Sequence, residues 1–163
     1  MLMVMLGGPD PMPGNGALWQ AIDGEPAFRR IGHVDTAPDL GDTDVEVWVG
    51  ELRFPEAGEP PPPSAGGLLV FSQEPRPGDE EEFDAFMDTD HVPALAGVDG
   101  VLLAQRYEAT RGTPRFTAVY YLTEPGVCTS DEWRAASRTA WRERMSARNL
   151  NRRRGLYVPA TAS

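Results

Sequence analysis

The sequence predicts an α+β fold of two tandem ferredoxin-like halves, the first truncated, packed sheet to sheet around a barrel-like core. Three observations carry this. Residues 68–159 read in the order β-α-β-β-α-β, the ferredoxin-like pattern. A shift of 67 residues lays Leu2–Met5 on Leu69–Ser72 and Ala17–Phe28 on Asp84–Leu95 without a gap, as duplicated units do. Between the copies, Phe54–Gly67 carries the run "PPPP", a stiff polyproline spacer that cannot join a helix or a central strand. A sheet with helices on one face must bury the other, and two such sheets facing each other satisfy that need.

Taken in order, residues 1–53 form the worn half, β-α-β-β, with strands near 2–6, 28–35 and 45–53 and a helix near 15–24. Residues 54–67 are the linker, standing where a second helix is expected. The complete half, 68–159, opens with the apolar run "GLLVFS" (Gly67–Ser72). A helix then begins at "DEEE", whose acids complement the backbone dipole, and Pro93 ends or tightens it. "VLLAQRYEA" and "RFTAVYYL" are strand-forming runs joined by "TRGTP", a hairpin signal. "TSDEWRAASRTAWRERMSA" has a Thr/Ser cap, early acids and late arginines, with Trp133, Ala136, Ser137, Ala140 and Trp141 on one face. "GLYVP" closes as a short strand.

Composition narrows the function classes. The chain has 163 residues, 40% hydrophobic and 25% charged, and no apolar run approaches the roughly 18–20 residues that span a bilayer. No membrane association is expected, and the cytoplasm is the expected location. Cys128 is the single cysteine, which excludes an internal disulfide; a small packed residue is favoured over a nucleophile. The net charge of −10 is uneven: residues 134–163 hold eight arginines and one acid, Glu143. The acidic remainder repels a phosphate backbone, so nucleic acid is not an expected partner, and the basic end should lie against that remainder or a partner subunit. Glycine-rich phosphate loops and dinucleotide fingerprints are missing, so no cofactor is expected. No metal is expected either, because "DTDH" has only His33, far off in sequence, to complete a ligand set.

The residue that draws attention is His91. Phe83, Phe86, Met87, His91 and Leu95 follow the steps of one helix face, so an imidazole stands in line with phenylalanines. Imidazole titrates nearest neutrality and can both take and return a proton. A helix C-terminus and the carboxylates of Asp88 and Asp90 favour its protonated form, while burial opposes it. The alternative is a histidine bonded to a backbone carbonyl that fixes the turn. A working His91 should face a cavity; a structural one should be sealed by its own backbone. Tyr107, Tyr120 and Tyr121 are candidates to hydrogen-bond a carbonyl or enolate, and one of Tyr120 and Tyr121 should face the space between the sheets. Arg106 is a candidate for binding a carboxylate. Trp48 is the first half's candidate for the cavity wall.

"DEEEFDAFMDTDHVPALAGVDGVLLAQRYEA" and "PRFTAVYYLTEPGVCTSDEWRAA" resemble the dimeric α/β-barrel superfamily, particularly its EthD-like branch, over about residues 67–159. The resemblance implies a small cofactor-independent enzyme doing proton-transfer chemistry on an aromatic, polyketide-like or lactone intermediate, as a cyclase, isomerase or lyase. It implies His91 as general acid and base, with a tyrosine for which Tyr107 is the candidate; Trp48, Arg106, Tyr120 and Tyr121 are the residues expected around the substrate. Under the internal shift His91 falls on Gly24, so a single active pocket is expected. Two other readings stay open: a cofactor-free monooxygenase of the same fold, and a non-catalytic small-molecule-binding or assembly protein. Thin cover on the first half leaves room for a homodimer.

Overall fold

A computed structural model describes residues 1–41 and 43–160. Eight strands are present: β1 (Leu2–Gly8), β2 (Ala17–Gly24), β3 (Phe28–Val34), β4 (Glu46–Phe54), β5 (Gly67–Glu74), β6 (Val101–Arg111), β7 (Phe116–Leu122) and β8 (Leu150–Pro159). They close into one barrel in the order β1-β3-β2-β8-β5-β7-β6-β4, and every pairing is antiparallel. The first four strands lie as β4-β1-β3-β2 and the last four as β8-β5-β7-β6. Each set therefore has its fourth, first, third and second strand side by side. The sets join at two seams, β2 on β8 and β4 on β6.

The first half differs from expectation in two ways: a strand replaces the helix near 15–24, and the β3–β4 connection, not the 54–67 linker, stands where the second half has its second helix. Ala17–Gly24 is a strand, not a helix. Trp19 turns into the barrel and is buried, while Gln20 on the other face is exposed, a period of two rather than 3.6. The shift by 67 residues thus laid a strand on a helix. Residues 9–16 and 35–45 connect the strands where the second half has helices, so the first half carries four strands and no helix among its described residues.

Alternation along the strands produces two separate cores. Met3, Met5, Trp19, Ile31, Trp48, Leu68, Val70, Tyr107, Val119, Tyr121 and Tyr157 fill the barrel interior. Leu69, Phe116, Ala118, Tyr120 and Leu156 point outward and meet the helices. The interior also holds polar groups in pairs. Arg29 Nε donates to Tyr157 Oη at 3.0 Å, which donates to the Glu25 carbonyl at 3.0 Å, and Ser72 and Thr117 hydroxyls lie 2.8 Å apart.

The helical layer comes from the second half alone. Helix α1 (Glu80–Phe86) passes through a π-turn (Met87–His91) into α2 (Val92–Ala96). The Val92 N–H reaches back five residues to the Met87 carbonyl. Pro93, which has no N–H to offer, sits in the first turn of α2, so the helix loosens rather than ends. The Trp-bearing helix is two helices, α3 (Asp131–Ser137) and α4 (Ala140–Ser146). Ser130 caps α3 through the Trp133 N–H at 3.1 Å, and Thr139 caps α4 through the Arg142 N–H at 3.1 Å. That second cap is why one periodic run breaks. Strand β8 begins at Leu150, so "NRRRG" is strand, and two of its three arginines meet acids: Arg153 pairs with Glu46 and Arg154 with Asp23.

One prediction tests the seam. Gly24 has φ +86°, and a Cβ there would overlap the Arg154 carbonyl oxygen across the β2–β8 pair. Gly24→Ala is expected to lower stability by at least about 1–3 kcal/mol, read as a lower urea midpoint.

Candidate active site

The cavity that holds His91 lies between the outer face of the barrel and the helices, not between the two sheets. The cavity measures about 200 Å³. Its floor is the outward row of three strands: Leu69, Phe71 and Gln73 from β5, Ala118 and Tyr120 from β7, Arg152 and Arg154 from β8. Its roof is Phe86, Met87, His91 and Leu95 from the kinked helix, Trp133 and Ser137 from α3, and Arg142 from α4. Strand alternation sets the floor, and the helical stripe legible in the sequence sets the roof.

His91 occupies the π-turn, where a single wide turn re-aims a side chain without ending the helix. Its ring stacks on Phe86 at 5.1 Å and 28°. Among the described residues it forms no hydrogen bond, so it is not sealed by a backbone carbonyl. Burial drives its pKa down to about 4, and the Arg142 guanidinium adds to this, while Asp90 opposes it. The expected pull toward imidazolium therefore loses. Asp88 is engaged by Arg106, and Asp90 accepts a hydrogen bond from the Thr139 hydroxyl at 3.0 Å. At neutral pH the imidazole is uncharged and can accept a proton, as a weaker base than a free histidine.

Tyr120 shares the cavity. Its phenol has no hydrogen-bond partner among the described residues, and burial pushes its pKa well above the ordinary tyrosine value. It stays protonated and can donate to a carbonyl or enolate oxygen. The Asn149 amide donates from Nδ2 to Gln73 Oε1 at 2.8 Å, and its Oδ1 is buried without a partner.

The other sequence candidates lie elsewhere. Tyr107 and Tyr121 face the barrel interior, as does Trp48, whose Nε1 donates to the Pro114 carbonyl at 2.8 Å. Tyr107 is therefore on the opposite side of the sheet from His91. Its hydroxyl donates to Gln105 Oε1 at 2.8 Å and lies 3.2 Å from His33 Nε2. The Gln105 amide is oriented by donating to the Glu59 carbonyl at 2.9 Å. Tyr107 must then accept from a protonated His33 Nε2, and burial lowers the His33 pKa. Arg106 points to the helical side but binds Asp84 and Asp88 rather than the cavity, with its guanidinium over Phe83 and Phe116 at 5.3 and 4.7 Å. So His91 and Tyr120 are brought together, and Tyr107, Tyr121, Trp48 and Arg106 are not.

Sequence reasoning did not single out Arg142, Arg152 or Asn149 as site residues. A signal existed for one: Arg152, Arg154 and Leu156 alternate onto a single face of β8. Among the described residues, no group of His, Cys, Asp and Glu side chains is arranged to hold a metal ion, and no helix is long and apolar enough to cross a membrane.

The sequence matches no protein-family model and no curated protein. Solved structures do share the fold. One is a major regulator of staphylococcal pathogenesis, with TM-score 0.62 at 8% identity over 99% of this chain and 100% of that one. A candidate monooxygenase from Fusobacterium nucleatum gives TM-score 0.62 at 8% identity, covering 98% and 92% of the two chains. A dimeric chlorite dismutase from Nitrobacter winogradskyi gives TM-score 0.56 at 13% identity, covering 97% and 99%. The chain has a dimeric α/β-barrel type of fold, closed here within one polypeptide. At such identities the likeness speaks to fold alone.

Proposed function

We propose that the protein is a small enzyme that moves a proton on an aromatic or conjugated substrate, with His91 as general base and acid and Tyr120 as hydrogen-bond donor. The observation that carries this is an uncharged, unbonded imidazole opening onto a cavity beside an unbonded phenol. Deprotonation at a carbon or phenol next to a carbonyl places negative charge on oxygen. Tyr120 and the nearby guanidiniums are the groups that would stabilise it. His91 then returns the proton to a different atom, which gives cyclisation, isomerisation or elimination according to the substrate. Tyr107 has no part in this step. An affiliation with the EthD-like branch rests on the segments around His91 and accords with such chemistry.

A second reading is a cofactor-free monooxygenase, favoured by the fold likeness to the candidate monooxygenase over nearly the whole chain. It begins with the same deprotonation. A panel of enolisable phenols and lactones in heavy water, followed by mass spectrometry, tests the shared step. The wild type should speed deuterium incorporation, and His91→Ala should not. No acceleration by the wild type on any member would leave a ligand-binding protein and overturn the enzyme reading.

A further inference from the structure

The charges around the cavity bear on the class of molecule it accepts. The chain carries a net −10, and most of its partly buried guanidiniums are committed: Arg106 to Asp84 and Asp88, Arg148 to Asp79 and Glu82, Arg29 to Glu46. Arg154, at the cavity floor, is held by Asp23. Arg142 and Arg152 are different. Among the described residues neither has a salt-bridge partner, and both line the cavity that holds His91. Arg152, although exposed, lies over the Phe71 ring at 5.5 Å, a contact that favours a position against the cavity wall. Arg142 is placed by the first turn of α4, whose cap is Thr139.

Two guanidiniums without salt-bridge partners line the cavity from different elements, one of them near a neutral imidazole, a lining suited to an anion. A guanidinium presents parallel N–H groups that match a carboxylate. The aromatic walls, Phe71, Phe86, Tyr120 and Trp133, suit a flat ring. A volume of about 200 Å³ lies below the range of about 300–1,000 Å³ typical of drug-sized sites, so the ligand is small.

We propose that the substrate is a small aromatic acid whose carboxylate is bound by Arg142 and Arg152. This deepens, and rests on, the reading of the cavity as the proton-transfer site. It also couples binding to chemistry. A docked carboxylate offsets the positive charge of Arg142, which opposes protonation of His91, so the substrate raises the basicity of the group that acts on it.

Calorimetric titration at neutral pH with salicylate, salicylamide and phenyl phosphate tests the assignment. Salicylate should bind at least about tenfold tighter than salicylamide. Arg142→Gln and Arg152→Gln should each weaken salicylate by about tenfold, the scale of one charge-assisted hydrogen bond, and leave salicylamide unchanged. Both arginines have solvent-accessible side chains, so folding should survive, and thermal unfolding checks it. Equal binding of salicylate and salicylamide, equal losses for both in the variants, or no salicylate binding would overturn the proposal. Tighter binding of phenyl phosphate would reassign the site to a phosphate monoester. Failure of the enzyme reading is separable: selective salicylate binding without any deuterium exchange leaves charge selection standing and removes proton transfer.

Discussion

Replacing His91 with asparagine is expected to slow proton transfer by about 10²–10⁴-fold, the usual contribution of a positioned acid–base group, while the fold persists. Asparagine keeps polarity and approximate size but cannot take a proton. The pH profile gives the sharper reading. With its pKa lowered to about 4, His91 is neutral across the whole neutral range, so kcat/KM should be flat through pH 6.5 and fall only as pH approaches 4. An inflection near 6.5 would show an ordinary exposed histidine instead. Stability should report the same group. The unfolded chain binds the proton with a pKa of 6.5 and the folded one with about 4. Stability from this group is therefore full above pH 6.5 and is lost as pH falls toward 4. His91→Asn should flatten that decline, seen as chemical-denaturation midpoints that change less between those pH values than in the wild type.

The second large effect concerns Arg106. Its side chain is fully buried, whereas Asp84 and Asp88 keep 35% and 33% of their side-chain surface. The partners are not equivalent when one side is removed. Arg106→Met leaves two carboxylates that water can still reach, and its unbranched side chain can lie between Phe83 and Phe116. Asp84→Ala with Asp88→Ala strands a guanidinium whose Nε already has no partner. The double change is expected to cost about 3–5 kcal/mol and Arg106→Met distinctly less, as urea midpoints would measure. The reverse order would mean that the pair is held by packing rather than charge. Because Asp88 lies in the π-turn, the double variant should also slow deuterium exchange, although neither aspartate lines the cavity.

What was legible in the sequence follows from how local each signal is. The stripe from Phe83 to Leu95 and the strands at 67–72, 101–109 and 115–122 are periodicities set by one element and its nearest neighbour, and they hold in the structure. Ala17–Gly24 is the instructive miss. Its Ala, Leu and Gln are good helix formers, but a central barrel position overrides them, since Trp19 has an interior to fill and β3 and β8 to pair with. The cavity was placed between the sheets because the interior of a barrel is the obvious space. In fact large side chains such as Trp48 and Tyr121 fill it. The protonation state of His91 was not readable because the burial that chiefly sets it, and its strongest charged neighbour Arg142, come from elements distant in sequence. Tyr120 against Tyr121 was undecidable for a simpler reason: alternation says they face apart, and only the pairing with β5 says which way.

The two seams of the barrel have a consequence for the proline-rich segment. Residues 67–160 taken alone would expose β6 and β8 as bare edges and leave the apolar inner row of four strands in water. A free partner could cover those edges only at the concentration at which it is supplied. A covalent tether supplies it at a fixed, high local concentration, of millimolar order for a short linker. Phe54–Gly67 thus makes barrel closure independent of how much protein a cell contains. Dilution, which dissolves a barrel assembled from two chains, should leave this one intact.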